Sequence, residues 1–514
     1  MNKARNKKMR YGGTALAITV LVLSAAVILN VICAMLSARY EWMYVNMNKD
    51  TVYSISDNCR DYIEEYVISE VDGRNAQSGD EQKIKITFCD TEKNILADES
   101  LKYIYDSIIE LRGMFPGHIE TAHLNVWEDP STAKEYGVTS TADIVCEFDG
   151  RFETVNFADF YLTNPENSDE AVAYNGEKIL SACLMRITDA DQPTCYFTVN
   201  HGENITDLSL MRAMIESGYT VGFVDISKDP IPDDCELLIT YAPEKDASVA
   251  DGGVDEIALL EEYMLSGGRY MVFISADTFA SGGFDNFEGL LSDWGVNFMH
   301  RTSDEGVEQS YLVRDPYNSL TVDGYTVLTV NAAEGMGADA LSNANYPNAF
   351  GNATAIKFSD DFLSDGAGNY VKTENGVKKT VAPLLVTNST AQAWMGGIAV
   401  ARADEQPFVL MSVSRGEREG GEVGYLVACT STDFAAQDKL QSAVLGNSRT
   451  LTEIVRYMGR ENAPANLTFK SFSGTKIESL TTSDANTYTV VFAVVPVAIV
   501  ALAGAVILTR RRFL

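Results

Sequence analysis

Thr194-Cys195-Tyr196-Phe197-Thr198-Val199, closed by the polar turn Asn200-His201-Gly202-Glu203, is the stretch on which the fold reading turns. Its six residues read as a short buried strand, and the chain beyond it alternates strand-like apolar runs with helical spacing. Thr206 to Ser217 carries Leu208, Met211 and Ile215 at i, i+3 and i+7, one face of a helix, with Gly218 as its stop. Tyr219 to Ile226 and Glu236 to Tyr241 are β-rich. Val254 to Leu265 repeats the helical spacing through Ile257, Leu260 and Met264, and Gly267-Gly268 leads into the run from Arg269 to Ile274. Strands alternating with helices in this rhythm predict an α/β fold with a parallel, doubly wound sheet.

Working outward, 514 residues that are 46% hydrophobic supply cores for two to three domains. The ends carry a different signal. Gly12 to Leu36 and Val490 to Leu508 contain no charged residue; as helices they reach about 37 and about 28 Å, against a hydrocarbon core of about 30 Å. Both are expected to span a membrane. Lys3, Arg5, Lys7, Lys8 and Arg10 precede the first, and Arg510, Arg511 and Arg512 follow the second. The positive-inside tendency therefore puts both termini in the cytoplasm of a plasma-membrane protein and the central body outside. A cleaved signal peptide fits poorly, because the apolar run is long and no small-x-small site follows it. Cys33 lacks the preceding small residue that lipoprotein processing requires.

Without those eight flanking basic residues, 32 cationic side chains face 72 acidic ones, a formal charge near −40 on the body. Nucleic acid is excluded as a partner class, since phosphate binding needs basic patches. Eight cysteines show no C-x-x-C pair and no regular spacing. Cys89, Cys146, Cys195 and Cys429 lie in apolar strand-like runs and read as small buried hydrophobes in reduced form.

Along the chain, Ser56 or Asp57 is placed to cap a helix through Tyr62, Ile63, Tyr66 and Val67. Lys83 to Phe88 alternates as a strand, Asp98 to Leu111 is helical, and Ile144 to Phe148 and Phe152 to Phe157 are strands, making one small α/β unit. Asn164 to Asn175 is polar, contains Pro165 and reads as a linker. Residues 303 to 380, rich in Asn, Gly, Ala and Ser, read as a β and loop excursion. Pro383 to Ser389 and Gly424 to Phe434 read as returns that complete the central sheet.

Several stretches resemble, in order, those of GldG-like proteins, auxiliary subunits of certain ABC transporters. They are Thr51-Val52-Tyr53-Ser54-Ile55-Ser56-Asp57, Asp129-Pro130, Tyr136-Gly137-Val138, Asn200-His201-Gly202-Glu203, Gly218-Tyr219-Thr220-Val221, Ile231-Pro232-Asp233-Asp234, Gly267-Gly268-Arg269-Tyr270-Met271-Val272-Phe273, Pro383-Leu384-Leu385 and Thr432-Asp433-Phe434. Asn200 stands where that family commonly has Gly, and Ala276-Asp277-Thr278 stands where it often has Asp-Pro. The resemblance implies a juxtamembrane helix and thioredoxin-like domain over 38–165 and a flavodoxin-like domain over 166–465 with a loop-rich insertion at 303–380. A stalk at 466–488 and membrane helices at 12–37 and 489–509 complete it, with basic tails at 1–11 and 510–514. It further implies separate permease and ATPase partners, a lipid bilayer, and no cofactor.

Chemistry-bearing motifs are few. No phosphate-binding G-x-x-x-x-G-K-[ST], no H-E-x-x-H and no G-x-S-x-G is present. The acidic run Asp246 to Asp255 lacks the order of a calcium loop and reads as compensation of a helix N-terminus. One constellation stands out: His201, Gly202 and Glu203 with Asp277, all at expected carboxyl ends of parallel strands, where open α/β sheets place ligand crevices. It has two readings, a ligand or partner contact and a structural turn that caps the next helix. A hydrolase using His201 and Glu203, and a stand-alone ligand receptor, are the rivals to a non-catalytic auxiliary subunit.

Overall fold

The chain is described here by a computed structural model that covers residues 54–472, apart from 165–166, 190–192, 204–207, 250–253, 277, 279–282, 303–307, 345, 405, 443, 465–466 and 468. The segments 12–37 and 489–509 lie outside these residues. Among the described residues no helix is long and apolar enough to cross a membrane.

Ser56 Oγ accepts the Cys59 amide and caps α1 (Asp57–Ile63), which runs through a π turn at Glu64–Ile68 into the helix Ser69–Ser78. Cys59, Ile63, Val67 and Val71 are all buried, and their spacing of four puts them on one stripe. Next come β1 (Ile84–Phe88), α2 (Glu99–Met114), β2 (Ile119–His123), α3 (Pro130–Glu135), β3 (Ile144–Phe148) and β4 (Arg151–Val155). The carboxylate of Asp98 caps α2, and Asp129 caps α3 with Pro130 at the first helical position. The four strands form a sheet in the order β2-β1-β3-β4, with β1 parallel to β2 and the other two pairs antiparallel.

The polar stretch 164–175 is not a linker. β5 (Tyr161–Asn164) and β6 (Asn167–Tyr174) form a hairpin, and Lys470-Ser471 adds a third short strand to β6. Pairing and the burial of Tyr161, Leu162, Ala173 and Tyr174 outweigh the polar composition. α4 (Gly176–Thr188) follows, and all of its residues are buried, Glu177, Lys178 and Arg186 among them.

The central sheet begins with β7 (Thr194–Thr198), α5 (Ser209–Glu216), β8 (Thr220–Val224), β9 (Cys235–Tyr241), α6 (Glu256–Leu265), β10 (Arg269–Phe273) and α7 (Asp285–Asp293). It continues through β11 (Thr326–Asn331), β12 (Asn348–Gly351), β13 (Val377–Thr387), β14 (Val409–Arg418) and β15 (Val423–Cys429), and α8 (Asn447–Tyr457) packs beside it. The main path of this 13-stranded sheet is β12-β11-β13-β14-β15-β10-β9-β7-β8. β8, β7, β9, β10 and β15 are parallel; from β14 outward the pairing is antiparallel. The expected parallel sheet is present; of the excursion 303–380, β11 and β12 widen it, while the short strands Glu308–Ser310 and Leu312–Arg314 pair in small sheets outside it.

One face packs under α5 and α8 through Leu210, Met214, Leu451 and Ile454. The other packs under α6 and α7 through Leu260, Met264, Leu290 and Leu291. The face of α5 differs from the expectation. Leu210, Ala213 and Met214 point into the core, whereas Leu208 is 62% and Ile215 39% exposed. The segment carries two adjacent apolar stripes, and the sheet takes the one with the small Ala213 at its centre.

The seven described cysteines are free thiols. Burial pushes Cys195 and Cys429 well up, so they act as small apolar residues.

Trp294, directly after α7, is fully buried. A Cβ at Gly416 on β14 would sit 2.5 Å from its ring, and Lys379 Nζ lies 5.0 Å from the ring centroid. Among the described residues its Nε1 has no hydrogen-bond partner. Trp294→Ala is expected to cost about 3–5 kcal/mol, read as a lower urea midpoint at unchanged m. Trp294→Phe keeps an aromatic ring, though not the part of the indole against Gly416, and loses no side-chain hydrogen bond, so it should cost less.

Candidate functional site

The turn Asn200-His201-Gly202-Glu203 lies where parallel strand order reverses. β8 and β9 flank β7 on opposite sides, so the residues directly after β7 stand at the switch point, the position where open α/β sheets hold ligands. The turn is built by two residues with positive φ, Asn200 at 86° and Gly202 at 79°. Asn tolerates this region better than most side chains, which explains how it serves at a position that suits Gly. A Cβ on Gly202 would meet Glu244 Cβ at 2.8 Å. The His201 carbonyl accepts the amides of Glu244 and Lys245 at 2.8 and 2.9 Å, which ties the turn to the loop after β9.

The Glu203 carboxylate folds back over this turn. It accepts the His201 amide at 2.6 Å and the Thr198 hydroxyl at 3.0 Å, and lies 3.3 Å from His201 Nδ1. On the other side of the ring, His201 Nε2 is 2.9 Å from Glu256 Oε1, an ion-pair contact without hydrogen-bond alignment. The second Glu256 oxygen accepts the Ser248 amide at 2.6 Å. Because Thr198 spends its one hydrogen on Glu203, Thr240 must donate to Thr198 across 2.9 Å, and Tyr270 donates to Thr240 across 2.7 Å. A one-way chain, Tyr270 to Thr240 to Thr198 to Glu203, thus runs from the start of β10 through β9 to the carboxyl end of β7.

The side chain of Glu203 is 1% exposed and that of Glu256 2%. The hydrogen bond to Glu203 raises the His201 pKa against the opposing effect of burial, and Glu256 adds to the rise. Burial alone would raise the Glu203 carboxyl, but His201 and the backbone amides outweigh it and hold it below its ordinary value. Both ring nitrogens face carboxylates, so the imidazolium is favoured and no lone pair is left to accept a proton from a nucleophile. The geometry suits a buried charge cluster that locks a turn; it does not suit a Ser-His-Asp arrangement, where one nitrogen must face the nucleophile.

Asp277 lies outside the described residues. His201, Gly202 and Glu203 do come together; Glu256, Thr198, Thr240 and Tyr270 were not singled out in the sequence. Glu256 stands 55 positions from His201, inside the segment 254–265 that the spacing predicts as helical. The acidic run is engaged in capping: Asp246 accepts the amides of Asn286 and Phe287 at the start of α7, and Asp255 accepts that of Ala258 in α6. Among the described residues no group of three His, Cys, Asp or Glu side chains is placed to hold a metal ion.

No family model matches the sequence, and no curated protein matches it. Several solved structures share parts of its shape, three of them as follows. One is the N-terminal domain of mmIFT52, at 13% identity, covering 52% of this chain and 97% of that one, with a TM-score of 0.36. The second is PurLQS from Thermotoga maritima, at 14% identity, 52% and 99% coverage and a TM-score of 0.26. The third is a cytoplasmic protein from Salmonella typhimurium, at 7% identity, 53% and 99% coverage and a TM-score of 0.27. At these scores the likenesses carry no functional argument.

A raised histidine pKa has a defined consequence for stability. The contribution of His201 is fully present below its unfolded value of about 6.5 and is lost as pH rises through the folded value. Glu203 acts oppositely, contributing above about 4.5 and losing its contribution as pH falls through its lowered value. The wild-type urea midpoint should therefore fall from about pH 6.5 upward. His201→Gln should flatten that decline; an unchanged slope would show that His201 is not the group that titrates.

Proposed function

We propose that the chain is a non-catalytic, membrane-anchored auxiliary subunit of an ABC transport complex, working with separate permease and ATPase subunits. In this reading segments 12–37 and 489–509 cross the plasma membrane, both termini are cytoplasmic, and the acidic body is extracytoplasmic.

The observation that carries the reading is a clamp at Glu177. Its carboxylate accepts the Ser56 amide and the Ser56 hydroxyl, each at 2.7 Å, and lies 2.6 Å from Lys470 Nζ. Nearby, Glu110 accepts the Ile55 amide at 3.1 Å and the Tyr62 hydroxyl donates to the Asn462 carbonyl at 2.6 Å. The two ends of the body, more than 400 residues apart in sequence, thus leave it side by side. A body held at both ends to one bilayer needs that arrangement, since apolar segments leaving opposite poles could not enter the same membrane without long tethers.

Two further features support it. The strand order β2-β1-β3-β4 and the parallel run β8-β7-β9-β10-β15, which is order 2-1-3-4-5 in sequence terms, favour the thioredoxin-like and flavodoxin-like readings of the two lobes. The charge cluster at His201 fills the switch point where a flavodoxin-like enzyme would hold its substrate, which weighs against the hydrolase reading.

Purification of the tagged full-length chain from membranes in mild detergent tests the proposal. A multispanning permease and an ATPase should be recovered at fixed ratio to the chain. A reproducibly solitary protein would refute the auxiliary role and favour a stand-alone receptor.

A further inference from the structure

On the face of the central sheet away from α6 and α7, a half-enclosed cavity of about 250 Å³ opens between the start of α4, α5 and the start of α8. Its composition is unlike that of the rest of the molecule. The whole chain carries a formal charge of −32, yet the lining brings together Lys178, Arg212 and Arg449 against a single carboxylate, Glu216. Lys178 contacts Glu216 at 2.9 Å and donates to Ser448 Oγ at 3.1 Å; Arg212 donates to Glu216 at 3.0 Å. Burial would push the Glu216 carboxyl up, but Lys178 and Arg212 prevail and hold it low, so it stays an anion. Within the lining one negative charge therefore answers Lys178 and Arg212, and Asp159 just outside it also attracts Arg212.

Among the described residues Arg449 makes no direct ion pair; Glu453, one turn further along α8, attracts it only at longer range. Its guanidinium lies over the Tyr346 ring, 4.4 Å from the centroid, and both residues line the cavity. Gly446, the N-cap of the 11-residue helix α8, offers no side chain to its first-turn amides, and it lines the cavity together with Ser448. A helix start without a side-chain cap, beside an arginine that has no direct ion pair among the described residues, favours negative charge. Asn175, 2% exposed, stands in the same wall with its amide nitrogen fixed on Glu216 at 2.8 Å; its Oδ1, without a partner among the described residues, is an acceptor and suits a donor on the ligand rather than the anionic group itself. Leu162, Leu445 and Phe469 give the lining its apolar surface. A concave, mainly apolar space with a few convergent polar groups is the ordinary form of a small-ligand site.

We infer that this cavity binds a small organic anion, a carboxylate or phosphomonoester with an apolar body. The anionic group sits at Arg449, Ser448 and the first amides of α8, and the body lies against Leu162, Leu445 and Phe469. Phe469 immediately precedes Lys470, so an occupied cavity touches the same end of the chain that Glu177 holds. Binding does not rest on the transport role, because it needs only this chain.

The test is calorimetric titration of the full-length protein in nanodiscs with phenylacetate, hexanoate and phenyl phosphate, and with the neutral amides phenylacetamide and hexanamide. At least one anion should bind tighter than about 1 mM, and at least tenfold tighter than the neutral amides. Arg449→Gln should weaken it at least tenfold. Ser448→Asp places a carboxylate where the ligand's charge would sit, in a first helical turn that favours it; it should abolish binding without lowering the melting temperature, which keeps the test decisive if Arg449→Gln folds poorly. Failure of all three anions to bind, equal binding of acids and amides, or unchanged affinity in Ser448→Asp would each overturn the inference.

Discussion

The structure depends on one helix whose charges are all taken out of water. α4 is buried along its whole length, and three ionic residues on it reach in three directions. Glu177 holds Ser56 and Lys470; Lys178 holds Glu216 and Ser448; Arg186 pairs through two nitrogens with Glu153 on β4 and donates to the Ile215 carbonyl in α5. Burying such groups is expensive unless each is matched, and removing one partner of a buried pair costs about 3–5 kcal/mol. Apolar residues of similar size would pack α4 as firmly. The matched charges add register: they fix how the four-stranded sheet, the hairpin β5–β6 and the central sheet sit against a common support.

That support explains the uneven legibility of the sequence. β7, β9 and β10 are readable because each is a short apolar run bounded by turns, and Leu260 and Met264 announce the inner face of α6. α4 leaves no such trace. Ile179, Leu180, Ala182, Cys183, Leu184, Met185 and Ile187 surround the axis, so there is no polar face to set a helical period, and its charged residues look like surface positions. The hairpin before it is equally silent, because one of its partners is Lys470-Ser471, almost 300 residues away. In α5 the period is clear and the phase is not: two neighbouring stripes compete, and which one faces the sheet is settled by packing.

The turn at His201 shows how far local reading reaches. His201, Gly202 and Glu203 are legible as a group because the turn itself places them, and the positive φ at Asn200 and Gly202 gives their residue types a backbone reason. Glu256 reaches the ring from a separate helix, and the hydroxyl chain from Tyr270 crosses two strands; neither can be inferred from spacing along the chain. The result is a switch point filled by the protein's own ions, with the open, cation-rich space displaced to the α5 and α8 side of the sheet.

The central claim is that α4 is the common support of both lobes, and native-state hydrogen exchange of the α4 amides measures it most directly. If the claim holds, Leu180 to Ile187 exchange with the opening free energy of the slowest amides in β9 and β10, because α4 cannot be exposed without unfolding both lobes. Exchange of α4 together with β1 and β3 at a distinctly lower free energy, with β9 and β10 still protected, would contradict it.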